Sequence, residues 1–210
     1  MDRDRIQFRS SIYITVIFTS VLWIAWLSDV LFGLDLPQYG IVPRTIIGLR
    51  GIIFSPFIHD NRSIWHLLSN TFPFMVLFFV LLNAYRPIAI FVLVTIHLLT
   101  GLFVWLLAPS FTVHVGISGI IYGIAAFLVG SGLFRRDLNS ISIAIFVIFL
   151  YGGMVEGFRP QPGVSWESHV CGAVVGFFLS FNLRNFNRAA PPATFPEDMD
   201  DDRHFFERYP

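Results

Sequence analysis

Four side chains in this sequence are of types that could carry out hydrolysis: Ser118, His169, His66 and Asn70. A serine hydroxyl is a poor nucleophile until a base removes its proton, and imidazole is the usual base near neutral pH. Ser118 is therefore the candidate nucleophile and His169 the candidate general base. The tetrahedral intermediate of amide hydrolysis carries a negative oxygen that needs preorganised donors. The side chains of His66 and Asn70 could supply them. So could backbone N–H groups where the Ser118 helix begins, that of Ser118 included, because first-turn amides have no partner within the helix. His66 precedes Asn70 by four residues, one helical turn, so both project from the same face.

No acidic residue falls at the same depth as this group. Glu156 and Glu167 sit near the outer border and Asp29 near the end of the first span. A Ser-His dyad is thus expected in preference to a Ser-His-Asp triad, with Glu167, two residues before His169, left open as a third member. His97 has no polar company and reads as structural, His114 as touching the site, and His59 as interfacial. The single cysteine, Cys171, cannot form an internal disulfide and reads as a small packing residue. No cofactor and no metal are expected.

These residues need elements to hold them, and composition says in which solvent. Hydrophobic residues make up 55% and charged residues 13% of the 210 residues, with mean hydropathy +0.68. A soluble domain carries roughly 25% charged residues. So few charges cannot cover a surface in water, and lipid must be the solvent. Net charge is zero and every one of the 14 basic residues is arginine, with no basic block, which sets nucleic-acid binding aside. Six apolar stretches approach the roughly 20 residues that cross a hydrocarbon core, at about 11–34, 65–85, 87–107, 115–134, 139–157 and 166–186. The first is too long for a signal core and no small-residue cleavage site follows, so an uncleaved span is expected. Pro73, inside the second, is expected to bend that helix. The connection from Asp35 to Ile64 is apolar in patches and is expected to rest in the membrane interface. The expectation is an all-α integral membrane protein: an N-terminal cytoplasmic segment 1–10, a six-helix membrane domain 11–186, and a flexible acidic tail 187–210.

Eight arginines (3, 5, 9, 86, 135, 136, 184, 188) fall on one side of this arrangement and four (44, 50, 62, 159) on the other. The richer side holds both termini, which predicts a multi-pass protein of the cell membrane with cytoplasmic termini. Spans two, four and six then run inward, each ending near an arginine. Counting back from Arg86, Arg135 and Arg184 puts Asn70, Ser118 and His169 about 24, 26 and 23 Å above the inner border. All three share one shelf just below the outer surface, where polar groups face the bundle interior. Gly119/Gly123 and Gly172/Gly176 are small-xxx-small pairs that let helices approach closely. Each feature alone has an ordinary packing explanation, but together they suggest a common cavity, expected to open outward.

Gly116-Ile-Ser-Gly119 resembles the G-x-S-G motif of the rhomboid family of intramembrane serine proteases. Tyr122 matches its aromatic residue one turn later that supports the histidine ring. His66-Leu-Leu-Ser-Asn70 is similar to the second-span oxyanion motif, and His169-Val-Cys-Gly-Ala-Val-Val-Gly176 to the sixth-span histidine–glycine signature. These motifs cover spans two to six in the family's order. The resemblance implies a six-helix rhomboid-like bundle with a membrane-associated first loop, cleaving single-span transmembrane protein substrates in or near the outer bilayer. In it Tyr122, Gly116, Gly119, Gly172 and Gly176 would support the site. The fifth helix and the loop around Phe158 to Trp166 would gate substrate access. Two departures stand out: Gly48-Leu-Arg-Gly51 replaces the Trp-Arg pair many members carry, and the stretch from Pro56 to His66 is longer. The alternative is a catalytically silent rhomboid-like protein that binds and steers other membrane proteins. A small-solute transporter is disfavoured because no matching halves are seen.

Overall fold

The computed structural model describes residues 3–161 and 163–186, and the acidic tail lies outside them. Within them the chain is helical. In order it forms α1 (Arg3–Phe32), α2 (Arg50–Phe54), α3 (Ile64–Ala84), α4 (Arg86–Leu107), α5 (Ser118–Arg135), α6 (Leu138–Tyr151) and α7 (Trp166–Asn182). Five helices are long and apolar enough to cross a membrane, α6 together with its one-sided extension to Phe158 among them. The sixth long helix, α7, has 17 residues, about 26 Å at 1.5 Å each.

The burial pattern is that of a protein dissolved in lipid. On α1 the buried stripe is Ser11, Thr15, Thr19, Leu22 and Asp29, while Ile17, Leu31 and Phe32 point out. Small and polar residues face the protein and large apolar ones face the solvent, the reverse of a water-soluble amphipathic helix. Trp23 Nε1 donates to Thr71 Oγ1 at 3.1 Å and so ties α1 to α3. Asp29 accepts from the Leu36 amide and from Asn61 Nδ2, which fixes the start of the first loop against its end.

α5 is the central helix. Its glycines 119, 123, 130 and 132 are all buried, and α7 lies against it along its length. A Cβ placed on Gly172 would stand 1.9 Å from the Gly119 carbonyl oxygen, and one on Gly176 1.9 Å from that of Gly123. Only glycine allows backbones this close, and the N-terminal halves of α5 and α7 are thereby clamped together.

Three boundaries differ from expectation. α1 begins at Arg3, so most of segment 1–10 is a helical extension. α5 begins at Ser118 and not near 115, because Gly116 takes φ +108°, a conformation that ends any helix. The fifth span stops as an α-helix at Tyr151 and continues as a 3-10 turn, Gly152–Phe158, where the Gly152-Gly153 pair weakens α-helical preference. α3 runs on through Pro73.

The first loop is folded, not trailing. Trp105 Nε1 donates to the Thr45 carbonyl, Arg44 to the carbonyls of Leu106 and Ala108, and Ile41 bridges His114. His97 Nε2 lies 2.8 Å from the Ile52 carbonyl, in keeping with a structural role. Arg50 stacks on Tyr39 at 4.4 Å and donates to the Gln38 carbonyl, which anchors the loop without the tryptophan. Its outward face carries Ile46, Ile47, Ile53 and Phe54, all exposed, as suits contact with lipid.

Candidate active site

Between the N-terminal ends of α3, α5 and α7 lies a cavity of about 1110 Å³, lined among others by His66, Asn70, Ser118, Tyr122 and His169. The residues grouped by depth and spacing therefore share one space. Ser118 is the first residue of α5 and is half-buried. His169 is in the first turn of α7 and is buried. Ser118 Oγ is 2.8 Å from His169 Nε2.

The other ring nitrogen has a different partner. His169 Nδ1 is 2.7 Å from the carbonyl oxygen of Gly157. A carbonyl can only accept, so the proton sits on Nδ1 and Nε2 is left with a lone pair for the serine O–H. Glu167 bonds to no described residue, so the position a carboxylate holds in a triad belongs here to a backbone carbonyl. Tyr122 lies flat on the His169 ring, with centroids 4.1 Å apart and planes 7° apart. Its hydroxyl donates to the Met154 carbonyl at 2.6 Å, and Phe158 packs edge-on against it.

His66 and Asn70 line the cavity, and among the described residues neither hydrogen-bonds to Ser118. Asn70 Nδ2 donates to the His66 carbonyl one turn back, at 2.8 Å, which commits one of its two amide hydrogens. The His66 ring covers Gly116, where a Cβ would stand 3.2 Å from its Nε2. The backbone before the serine is held from below: the Gly116 amide donates to the Ser55 carbonyl at 2.9 Å. The Ile117 amide faces His59 Nε2 at 3.5 Å. The Ser118 and Gly119 amides have no hydrogen-bond partner among the described residues.

His59 corrects an expectation. It is 1% exposed, packed beneath the site and edge-on to His66 at 5.2 Å, and not interfacial. Burial, with His66 adding to it, pushes its imidazole down to about 3. His114 bonds to Ser165 and Thr112, and Ser165 bonds to Ser168, so His114 joins the loop before α5 to the start of α7. Burial lowers its pKa and Glu167 partly offsets that. At the cavity mouth Asp60 and Arg62 pair at 3.0 Å, and the guanidinium holds the Asp60 carboxyl below its usual range. The two carbonyls that hold Tyr122 and His169 carried no signal in the sequence, since every residue has one.

Fold and site define a multi-pass membrane protein with a serine–histidine pair in a cavity open to one side of the helical bundle. Residues 48–186 match the Rhomboid domain, and the chain belongs to the rhomboid family. Uncharacterised proteins of Mycobacterium tuberculosis and Mycobacterium bovis are each 38% identical to it over 183 residues, which is 82% of this chain and 75% of theirs. One of Mycobacterium leprae is 37% identical over 175 residues, 79% of this chain and 68% of its own.

Proposed function

We propose that the protein is an intramembrane serine endopeptidase acting through a dyad of Ser118 and His169. The observation that carries this reading is the 2.8 Å contact between Ser118 Oγ and His169 Nε2 at the wall of a cavity large enough for a peptide segment. The usual activity of the rhomboid family supports it. His169 takes the serine proton as Oγ attacks the scissile carbonyl. The oxyanion is received by the unpaired Ser118 amide, with Asn70 and His66 reaching it from α3. His169 then protonates the leaving amine, and water, activated by the same imidazole, hydrolyses the ester. The substrates are transmembrane proteins unwound near the outer bilayer surface. Both termini are cytoplasmic, and the six-helix domain 11–186 carries the activity.

Purified protein in liposomes is expected to cleave a single-span reporter with small residues near its outer boundary. Ser118→Ala is expected to lower the rate by at least about 10³-fold, as loss of a nucleophile does elsewhere. It should also abolish labelling by a fluorophosphonate. Equal cleavage by Ser118→Ala would sink the proposal. Reporter binding without labelling of the parent protein would favour a catalytically silent steering role instead.

A further inference from the structure

We propose that the Gly157 carbonyl is a positioning group for His169, supplied by the 3-10 segment Gly152–Phe158 in place of a triad carboxylate. This rests on the protease reading above. In a serine hydrolase the base works only if its proton sits on the nitrogen away from the nucleophile, and that requires an acceptor at the far nitrogen. Among the described residues no carboxylate hydrogen-bonds to His169, and the Gly157 oxygen at 2.7 Å from Nδ1 fills the position.

The sequence at 157 is suited to the task. A Cβ there would stand 1.9 Å from the Tyr122 hydroxyl and 3.0 Å from His169 Nδ1, so only glycine brings its carbonyl to the ring. By contrast, a Cβ on Gly152 or Gly153 would meet nothing within 4 Å. The segment has no buried residue and reaches the site through the edge-on contact of Phe158 with Tyr122 and two hydrogen bonds. One runs from Tyr122 to Met154 and the other from His169 to Gly157. Both donors belong to the stacked pair of rings at the base, and the exposed Arg159–Glu156 pair closes the segment's end. The position of the segment and the tautomer of His169 are therefore one equilibrium. With the segment seated, Nδ1 keeps the proton and Nε2 accepts from Ser118. With the segment lifted, nothing in the site distinguishes the two nitrogens.

The test uses the full-length protein in detergent or liposomes. In the parent, ¹⁵N chemical shifts of labelled histidine, with His169 assigned from the difference against His169→Asn, should show the Nδ1–H tautomer. Gly157→Ala should lower kcat by about 10- to 100-fold, the range found when the orienting acceptor of a metal-ligating histidine is lost, while KM stays within about twofold. Gly152→Ala and Gly153→Ala should match the parent. An Nε2–H tautomer in the parent overturns the inference even if Gly157→Ala fails to fold. So does full activity of Gly157→Ala. Either result, with Ser118→Ala still inactive, leaves the protease reading standing; an active Ser118→Ala removes that reading first.

Discussion

At the residue scale the buried His59 carries a consequence for stability. Its Nδ1 has no hydrogen-bond partner among the described residues, and its Nε2 faces the amide of Ile117, next to Ser118. In the folded protein burial holds its pKa at about 3, against about 6.5 in an unfolded chain. The unfolded state therefore takes up the proton first. The stability this site contributes is complete above about pH 6.5 and is lost progressively as pH falls toward 3. Thermal unfolding in detergent should show a lower midpoint at about pH 5 than at about pH 7.5, and His59→Gln should reduce that difference. His114, lowered by burial, keeps part of it in the variant. An unchanged difference would show that His59 is not the group responsible.

At the element scale the molecule depends on the contact between α5 and α7. The helix that carries Ser118 and the helix that carries His169 meet backbone to backbone at Gly119/Gly172 and Gly123/Gly176. A single methyl group at 172 must separate them, and an overpacked contact of this kind costs about 1–3 kcal/mol. Gly172→Ala is expected to lower the unfolding midpoint. It should slow fluorophosphonate labelling by more than the folded fraction explains, because the same displacement lengthens the 2.8 Å contact between His169 and Ser118. Gly152→Ala, whose Cβ enters open space, is the matched control. Parent-like stability and labelling of Gly172→Ala would show that the helices part without cost.

At the scale of the whole molecule the apolar exterior and the arginine distribution set the position in the bilayer. Phe149 is 85% exposed and Leu107 72%, which lipid alone makes favourable. The proposed orientation puts the loop between α4 and α5 outside and the turn between α5 and α6 inside. One cysteine is present, so Cys171→Ala gives a background without thiols. In it Phe111→Cys should react with a membrane-impermeant maleimide on intact cells, and Asn139→Cys only after permeabilisation. The opposite pattern would reverse the orientation and place the cavity on the cytoplasmic side.

The sequence alone determined the membrane class, through its scarcity of charge, and the grouping of Ser118, His169, His66 and Asn70, while Tyr122 was added only by the resemblance to the rhomboid motif. Helical period and span length place such side chains in angle and depth whatever the loops do. The glycine pairs that bring α5 to α7 were legible for the same reason. Tertiary structure decided the rest. His59 is buried because of the path the first loop takes, and no local pattern records that path. α5 starts at Ser118 because Gly116 takes a positive φ beneath His66. The Met154 and Gly157 carbonyls serve Tyr122 and His169 because the 3-10 segment turns them inward. All residues carry the same carbonyl, so its role is written in the fold and not in the residue type.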